Sequence, residues 1–201
     1  MSAVVGIVLG VVTGVAASVI FWYLQFRVFR TKLQISPTIA RYTHAQGGIR
    51  NQVKIRNSSR RDIVELSVTM RATLPGLVRP HSAAVITLGE WRRPILKRRG
   101  EVQYGVRPEL MAEAEQARFA RYLPLDMATA IAAAEAVDLI EFLGLSEGSL
   151  IEVYVFGTDA LSGARGFATQ MFSAREVCPG EFLPDSFSQT GQFDASAISS
   201  S

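Results

Sequence analysis

At 201 residues, 48% of them apolar, the chain has room for one membrane anchor and one ordinary domain. A formal net charge of only +3 argues against nucleic acid as a partner, although the pI of about 9.3 gives a more basic impression. The single cysteine, Cys178, excludes an internal disulfide and fits a reducing compartment.

The first predicted element is a transmembrane helix within residues 1–26. AVVGIVLGVVTGVAASVIFWYL, residues 3–24, holds no charge. At about 1.5 Å per residue it spans a bilayer core of roughly 30 Å. A cleaved signal peptide would want basic residues ahead of a shorter apolar run that ends at small residues. Here no Lys or Arg precedes Arg27, and the run continues past Ala16-Ala17-Ser18. Trp22 and Tyr23 close the span as an aromatic belt would. Arg27, Arg30 and Lys32 follow in a basic juxtamembrane linker, residues 27–32. By the positive-inside rule the N-terminus lies outside and the C-terminal domain in the cytoplasm.

Within that helix the small residues recur on a step of four: Gly6, Gly10, Gly14 and Ser18, with Ser2 before them. In hydrocarbon, helices gain little from burying apolar side chains against one another, so close backbone approach through small residues becomes a main attraction. Each step of four turns about 40° past a full revolution, so the stripe winds slowly around the helix. The expectation is helix–helix association, in a homo-oligomer or a larger membrane complex.

From residue 33 the apolar period changes to two, and residues 33–183 read as one mainly β domain. Leu33 and Ile35 share a face before a break at Pro37, and Val53 and Ile55 point inward from NQVKIRN. NSSRRD, residues 57–62, is a turn by composition. In IVELSVTMRATL the residues Val64, Leu66, Val68, Met70, Ala72 and Leu74 form the predicted buried face, and Pro75-Gly76 ends the strand. A short strand over 83–91 leads into the basic run WRRPILKRR, predicted to be a solvated hairpin. Residues 109–122 and 127–143 read as helices inside an insertion at about 107–145. Asp126 is the predicted N-cap of the second and Gly144 its terminator, with Ala130, Ala133, Val137 and Ile140 as its apolar stripe and Glu135 and Asp138 on its wet side. Residues 149–157 and 166–173 form a late hairpin, and residues 184–201 are too poor in apolar residues to order themselves.

Two stretches resemble the cytoplasmic immunoglobulin-like sandwich of inward-rectifier potassium channels: VKIRNSSRRDIVELSVTMRATL, and IEVYVFGTDALSGARGFATQMFSAREVCPGEF at 151–182. Shared are a strand, a polar turn, an Ile-Val-Glu strand start, and a late hairpin whose closing turn holds Gly180 and Phe182. The resemblance implies an Ig-like antiparallel β-sandwich on the cytoplasmic side. The family's second membrane helix and Thr-x-Gly-[Tyr/Phe]-Gly filter have no counterpart, so a pore built by this chain alone is not expected. In that family basic residues between membrane and sandwich meet anionic lipid; Arg27, Arg30 and Lys32 hold a similar place, and topology alone would also account for them.

The usual chemical constellations are missing. His44, His81 and Cys178 stand apart in the sequence, and no P-loop, G-x-G-x-x-G or G-x-S-x-G occurs. No metal, cofactor or small-molecule substrate is expected, and the protein is not expected to be an enzyme. The expected role is a non-enzymatic binding, scaffold or accessory module of a membrane complex. Trp91, Arg92, Arg93, Lys97, Arg98 and Arg99 form its candidate partner surface beside the insertion. A lipid-sensing regulatory subunit or a companion of a channel or transporter, an exported Ig-like domain, and a hydrolase assembled only in three dimensions are the alternatives.

Overall fold

The computed structural model describes residues 3–23, 31–43 and 48–182. The predicted flexible tail, most of the basic linker and His44 lie outside the described residues. Helix α1, Ala3–Tyr23, is a single 21-residue helix, and its segment Val5–Tyr23 is long and apolar enough to cross a membrane.

The rest is mainly β. β1 (Leu33–Ile35) and β2 (Ile39–Thr43) are one strand path broken at Pro37. Both pair antiparallel with one edge of β3 (Ile49–Asn57), while β6 (Glu101–Val106) takes its other edge. β4 (Ile63–Pro75) pairs with β5 (Ala83–Leu96) and with β7 (Leu150–Asp159), which pairs in turn with β8 (Arg165–Phe172). This second sheet has the order β5-β4-β7-β8 and is antiparallel throughout. A short strand that the period-two pattern does not reveal, β9 (Val177–Pro179), runs parallel to β2 and closes the first sheet.

Alternation explains most of the burial. Val53 and Ile55 from the first sheet and Leu66, Val68, Met70, Ala72, Leu74, Ile151, Val153 and Val155 from the second are fully buried in one cluster. The exception is the start of β4. Ile63 is buried and Val64 only half so, the reverse of the predicted parity. The register against β7 shifts between Val64 and Ser67, and Glu65 there has φ +54°. This bulge adds one residue to β4 and flips the faces before it.

The helices between β6 and β7 are shorter than predicted. Residues 109–122 resolve into a 3₁₀ turn at Pro108–Leu110, then α2 (Glu113–Phe119), then a second 3₁₀ turn. The predicted helix over 127–143 is two helices, α3 (Leu125–Ala132) and α4 (Leu139–Gly144). Ala134 takes φ +54°, Glu135 N donates to Ala130 O at 2.8 Å and Ala134 N to Ile131 O at 3.0 Å, a Schellman closure without the usual glycine. Asp138 is therefore a cap, not a wet-side residue: it accepts from Ile140 N at 2.9 Å and pairs with Arg41. Asp126 caps nothing and sits in the first turn of α3. The buried face uses Met127, Ile131, Leu139, Phe142 and Leu143; of the predicted stripe Val137 is buried and Ala130 half-buried against the core, while Ala133 and Ile140 are exposed.

WRRPILKRR is not a hairpin. Its first half extends β5 to Leu96, with Pro94 tolerated because β5 is an edge strand. Its second half is a turn that carries the chain from one sheet to the other, since β5 pairs with β4 and β6 with β3.

Candidate functional site

The register places four chain segments at one end of the β domain. Leu33 begins β1 opposite Asn57, the last residue of β3, and Ile63 begins β4 opposite both Leu96 and Asp159. The start of β1 and the turns 57–62, 97–100 and 160–164 therefore share this end, while β6 and β7 meet the helical segment at the other. Polar contacts tie the turns together. Asn57 Nδ2 donates to the carbonyls of Arg61, Leu96 and Lys97 at 2.7, 3.2 and 3.1 Å, and Ser59 N donates to its Oδ1 at 3.0 Å. Asp62 accepts from Arg98 N at 2.7 Å and Lys97 Nζ at 3.4 Å, and these contacts hold its carboxyl below the usual range. Asp159 accepts from Leu161 N and Ser162 N and lies 3.6 Å from Arg61; burial opposes its charge, but the hydrogen bonds outweigh that and its pKa falls.

The chain coming from α1 is seated on the same end. Ser58 N donates to Lys32 O at 2.8 Å, and Thr31 Oγ1 donates to Ala164 O at 3.2 Å. A Cβ at Gly166 would meet Thr31 at 2.5 Å, so a glycine is required for Thr31 to lie there.

The candidate residues divide accordingly. Gly6, Gly10 and Gly14 lie along α1 with nothing within 4 Å of where a Cβ would stand, and the Ser18 hydroxyl bonds back to Gly14 O at 2.9 Å. Arg27 and Arg30 lie outside the described residues, and Lys32 is exposed. Trp91 does not belong to an outer surface: it is half-buried against the core, 5.5 Å from Tyr104, over a glycine, Gly89, where a Cβ would strike its ring. Arg92 and Arg93 are exposed along β5, whereas Lys97, Arg98 and Arg99 form the β5–β6 turn some residues away.

A surface that sequence reading passed over lies on the outer face of β7 and β8. Phe156 and Phe167 are 49% and 56% exposed, their ring centroids 4.9 Å apart, with Tyr154 6.4 Å from Phe167 and the exposed Met171 on the same face of β8. Among the described residues β8 pairs only with β7, so this apolar patch borders a sheet edge. The signal was available: once Ile151, Val153 and Val155 are assigned inward, Tyr154 and Phe156 must face out.

Reactive groups are scattered. No cluster of three His, Cys, Asp or Glu that could hold a metal occurs among the described residues. A cleft of about 180 Å³ is lined by Arg50, Asn51, Arg107 and Glu109 among others. Burial pushes the Glu109 carboxyl up against the opposing pull of Arg107 and Arg50, but no second acid or histidine lines the cleft. On the outer side of the first sheet, Lys54 is buried over the Phe182 ring and bonds Glu101 at 2.7 Å; Arg56 Nε bonds the same carboxylate at 2.6 Å. That group closes the sheet face, with its one carboxylate shared between two cations.

No protein-family model matches the chain, and no curated protein does. Among solved structures it is similar to the sporulation control protein Spo0M of Bacillus subtilis, at 10% identity and a TM-score of 0.32, over 71% of this chain and 48% of that one. It is also similar to DesR, a β-glucosidase of Streptomyces venezuelae solved with D-glucose, at 17% identity and a TM-score of 0.32, over 70% of this chain. The match spans about half the length of the first protein and 15% of the second. Likeness at this level is that of a β-rich fold and carries nothing about function.

Proposed function

We propose that the protein is a single-pass membrane protein whose β domain, an Ig-like sandwich, is a non-enzymatic docking module on the cytoplasmic side. The observation that carries this reading is the aromatic patch at the β8 edge, exposed Phe156 and Phe167 with half-buried Tyr154 beside them. Clustered aromatics rimmed by polar residues suit a protein partner: they bury large area at little conformational cost. Arg71, 5.8 Å from the Tyr154 ring, supplies a polar rim. The open stripe of Gly6, Gly10 and Gly14 supports association within the bilayer, and scattered reactive groups give no support to catalysis. The test is a photo-crosslinking residue at Phe167 in intact membranes, beside one at exposed Arg92. A discrete protein adduct at Phe167, absent at Arg92 and lost in Phe156→Ser, is the expected result. Equal, diffuse adducts at both positions would refute the docking face.

A further inference from the structure

The modest net charge of the whole chain hides a segregation that only the topology reveals. The segments gathered at the α1-proximal end carry Arg60 and Arg61 from the first turn, Lys97, Arg98 and Arg99 from the second, and Lys32 and Arg165 from strand starts, against Asp62, Asp159 and, at the start of β6, Glu101. Residues 107–149, at the opposite end, carry three Arg against eight acids. The three acids of this end are all engaged, Asp62 by Lys97, Asp159 by Arg61 and its own hairpin, and Glu101 by Lys54 and Arg56. Lys32, Arg60, Arg98, Arg99 and Arg165 are all exposed. Arg99 holds φ +54° at the third position of the turn closed by Gly100 N donating to Lys97 O, a place where glycine or asparagine would be unstrained. At the tip of the neighbouring β7–β8 hairpin stands Leu161, 75% exposed.

We propose that this end of the β domain is a docking surface for anionic lipid headgroups, with Leu161 as its apolar anchor. The proposal rests on the reading that α1 crosses the membrane. Eight residue steps from Tyr23 to Thr31 allow a separation of no more than about 28 Å between the end of α1 and the basic end. The tether thus keeps this end, and not the acidic one, near the bilayer. A negative leaflet attracts each basic side chain near it by roughly fivefold in partitioning and repels the acidic helical segment, so charge and tether select the same orientation. A nucleic acid fits less well, because the three turns, NSSRRD, KRRG and ALSGA, offer no aromatic side chain on which bases could stack.

The test uses the full chain with Cys178→Ser and an environment-sensitive fluorophore on Ala160→Cys, beside Leu161. It is reconstituted into vesicles of phosphatidylcholine with or without phosphatidylglycerol, both containing headgroup spin-labelled lipid. Expected is quenching in the anionic vesicles alone, relieved by high salt. In the charge-neutralised triple variant Arg98→Gln, Arg99→Gln, Arg165→Gln the docked-to-undocked ratio should fall on the order of a hundredfold. Leu161→Asp should weaken quenching in the anionic vesicles. Equal quenching in neutral and anionic vesicles, or none in either, would overturn the surface while alkaline extraction still leaves the chain in the membrane pellet. Extraction of the chain into the supernatant would instead overturn the spanning reading, and the tethered surface with it. A response to single-stranded RNA but not to anionic vesicles would reassign the surface and overturn the proposal.

Discussion

Asn57 offers the sharpest test of how the basic end is held together. It is fully buried, and its amide closes the 57–62 turn on itself while pinning the carbonyls of Leu96 and Lys97 from the next turn. Asn57→Ala removes all of these at once. The carbonyls of Arg61 and Lys97 lie close enough to solvent to recover water, but the Leu96 carbonyl and the Ser59 amide sit in buried contacts with Asn57. Two orphaned groups at about 1–3 kcal/mol each give an expected loss of about 2–6 kcal/mol. Asn57→Asp keeps the shape and replaces both donors with a carboxyl facing three carbonyls. Burial and those dipoles raise its folded pKa above the usual carboxylate value, so the folded state binds more protons than the unfolded one. Its destabilisation is therefore smallest in acid and grows as pH rises above about 4, the ordinary aspartate value, until the raised folded pKa is passed. Urea denaturation of the full chain in detergent micelles, followed by the strand circular-dichroism signal, measures both variants. An Asn57→Ala cost below about 1 kcal/mol, or an Asn57→Asp variant relatively more stable at neutral than at acid pH, would refute the reasoning.

Glu101 tests the opposite sign. Burial opposes its charge, but its bonds to Lys54 and Arg56 outweigh that and hold its pKa below the usual range. Its stabilisation is present at neutral pH and lost as pH falls below about 4.3 through the lowered folded value. Glu101→Gln should cost about 2–3 kcal/mol at pH 7 and flatten that acid dependence in the same urea assay. Gly10→Ile should abolish energy transfer between donor- and acceptor-labelled chains in liposomes without loss of helicity, because nothing in the chain itself crowds that position; unchanged transfer would remove the packing role. Cys178 is half-buried, and burial, then Glu176, pushes its thiol up. It should react slowly with a maleimide near neutral pH and faster as pH rises or the domain unfolds. In intact cells an impermeant maleimide should label it only after permeabilisation, and labelling from outside would overturn the orientation.

Much of the fold was legible because strand burial has a period of two. Val53, Ile55 and the run from Leu66 to Leu74 are buried as alternation predicts, and the turns at 57–62 and 75–76 fall where polar and Pro-Gly residues stand. The misses have local causes. The bulge at Glu65 depends on pairing with β7 and leaves no compositional trace. The break between α3 and α4 uses an alanine in a left-handed conformation, so the glycine that would have marked it is absent. Lys54 reads as a solvated residue on the outer face of β3, yet is buried because Glu101 and Phe182 come from distant parts of the chain to cover it.

The sequence alone determined what depends on neighbours along the chain: an apolar, uncharged helix with small residues on a step of four, and strands whose alternation allows only one face to be buried. It could not determine which turns lie side by side, because that follows from strand pairing between residues as far apart as Ile63 and Asp159. Only the tertiary structure gathered Arg60, Arg98, Arg99 and Arg165 at the end that receives the chain from α1 and sent the acidic helices to the other. Charge is additive in composition but directional in space, and a net +3 becomes a strongly polarised domain once the sheets fix where each turn points.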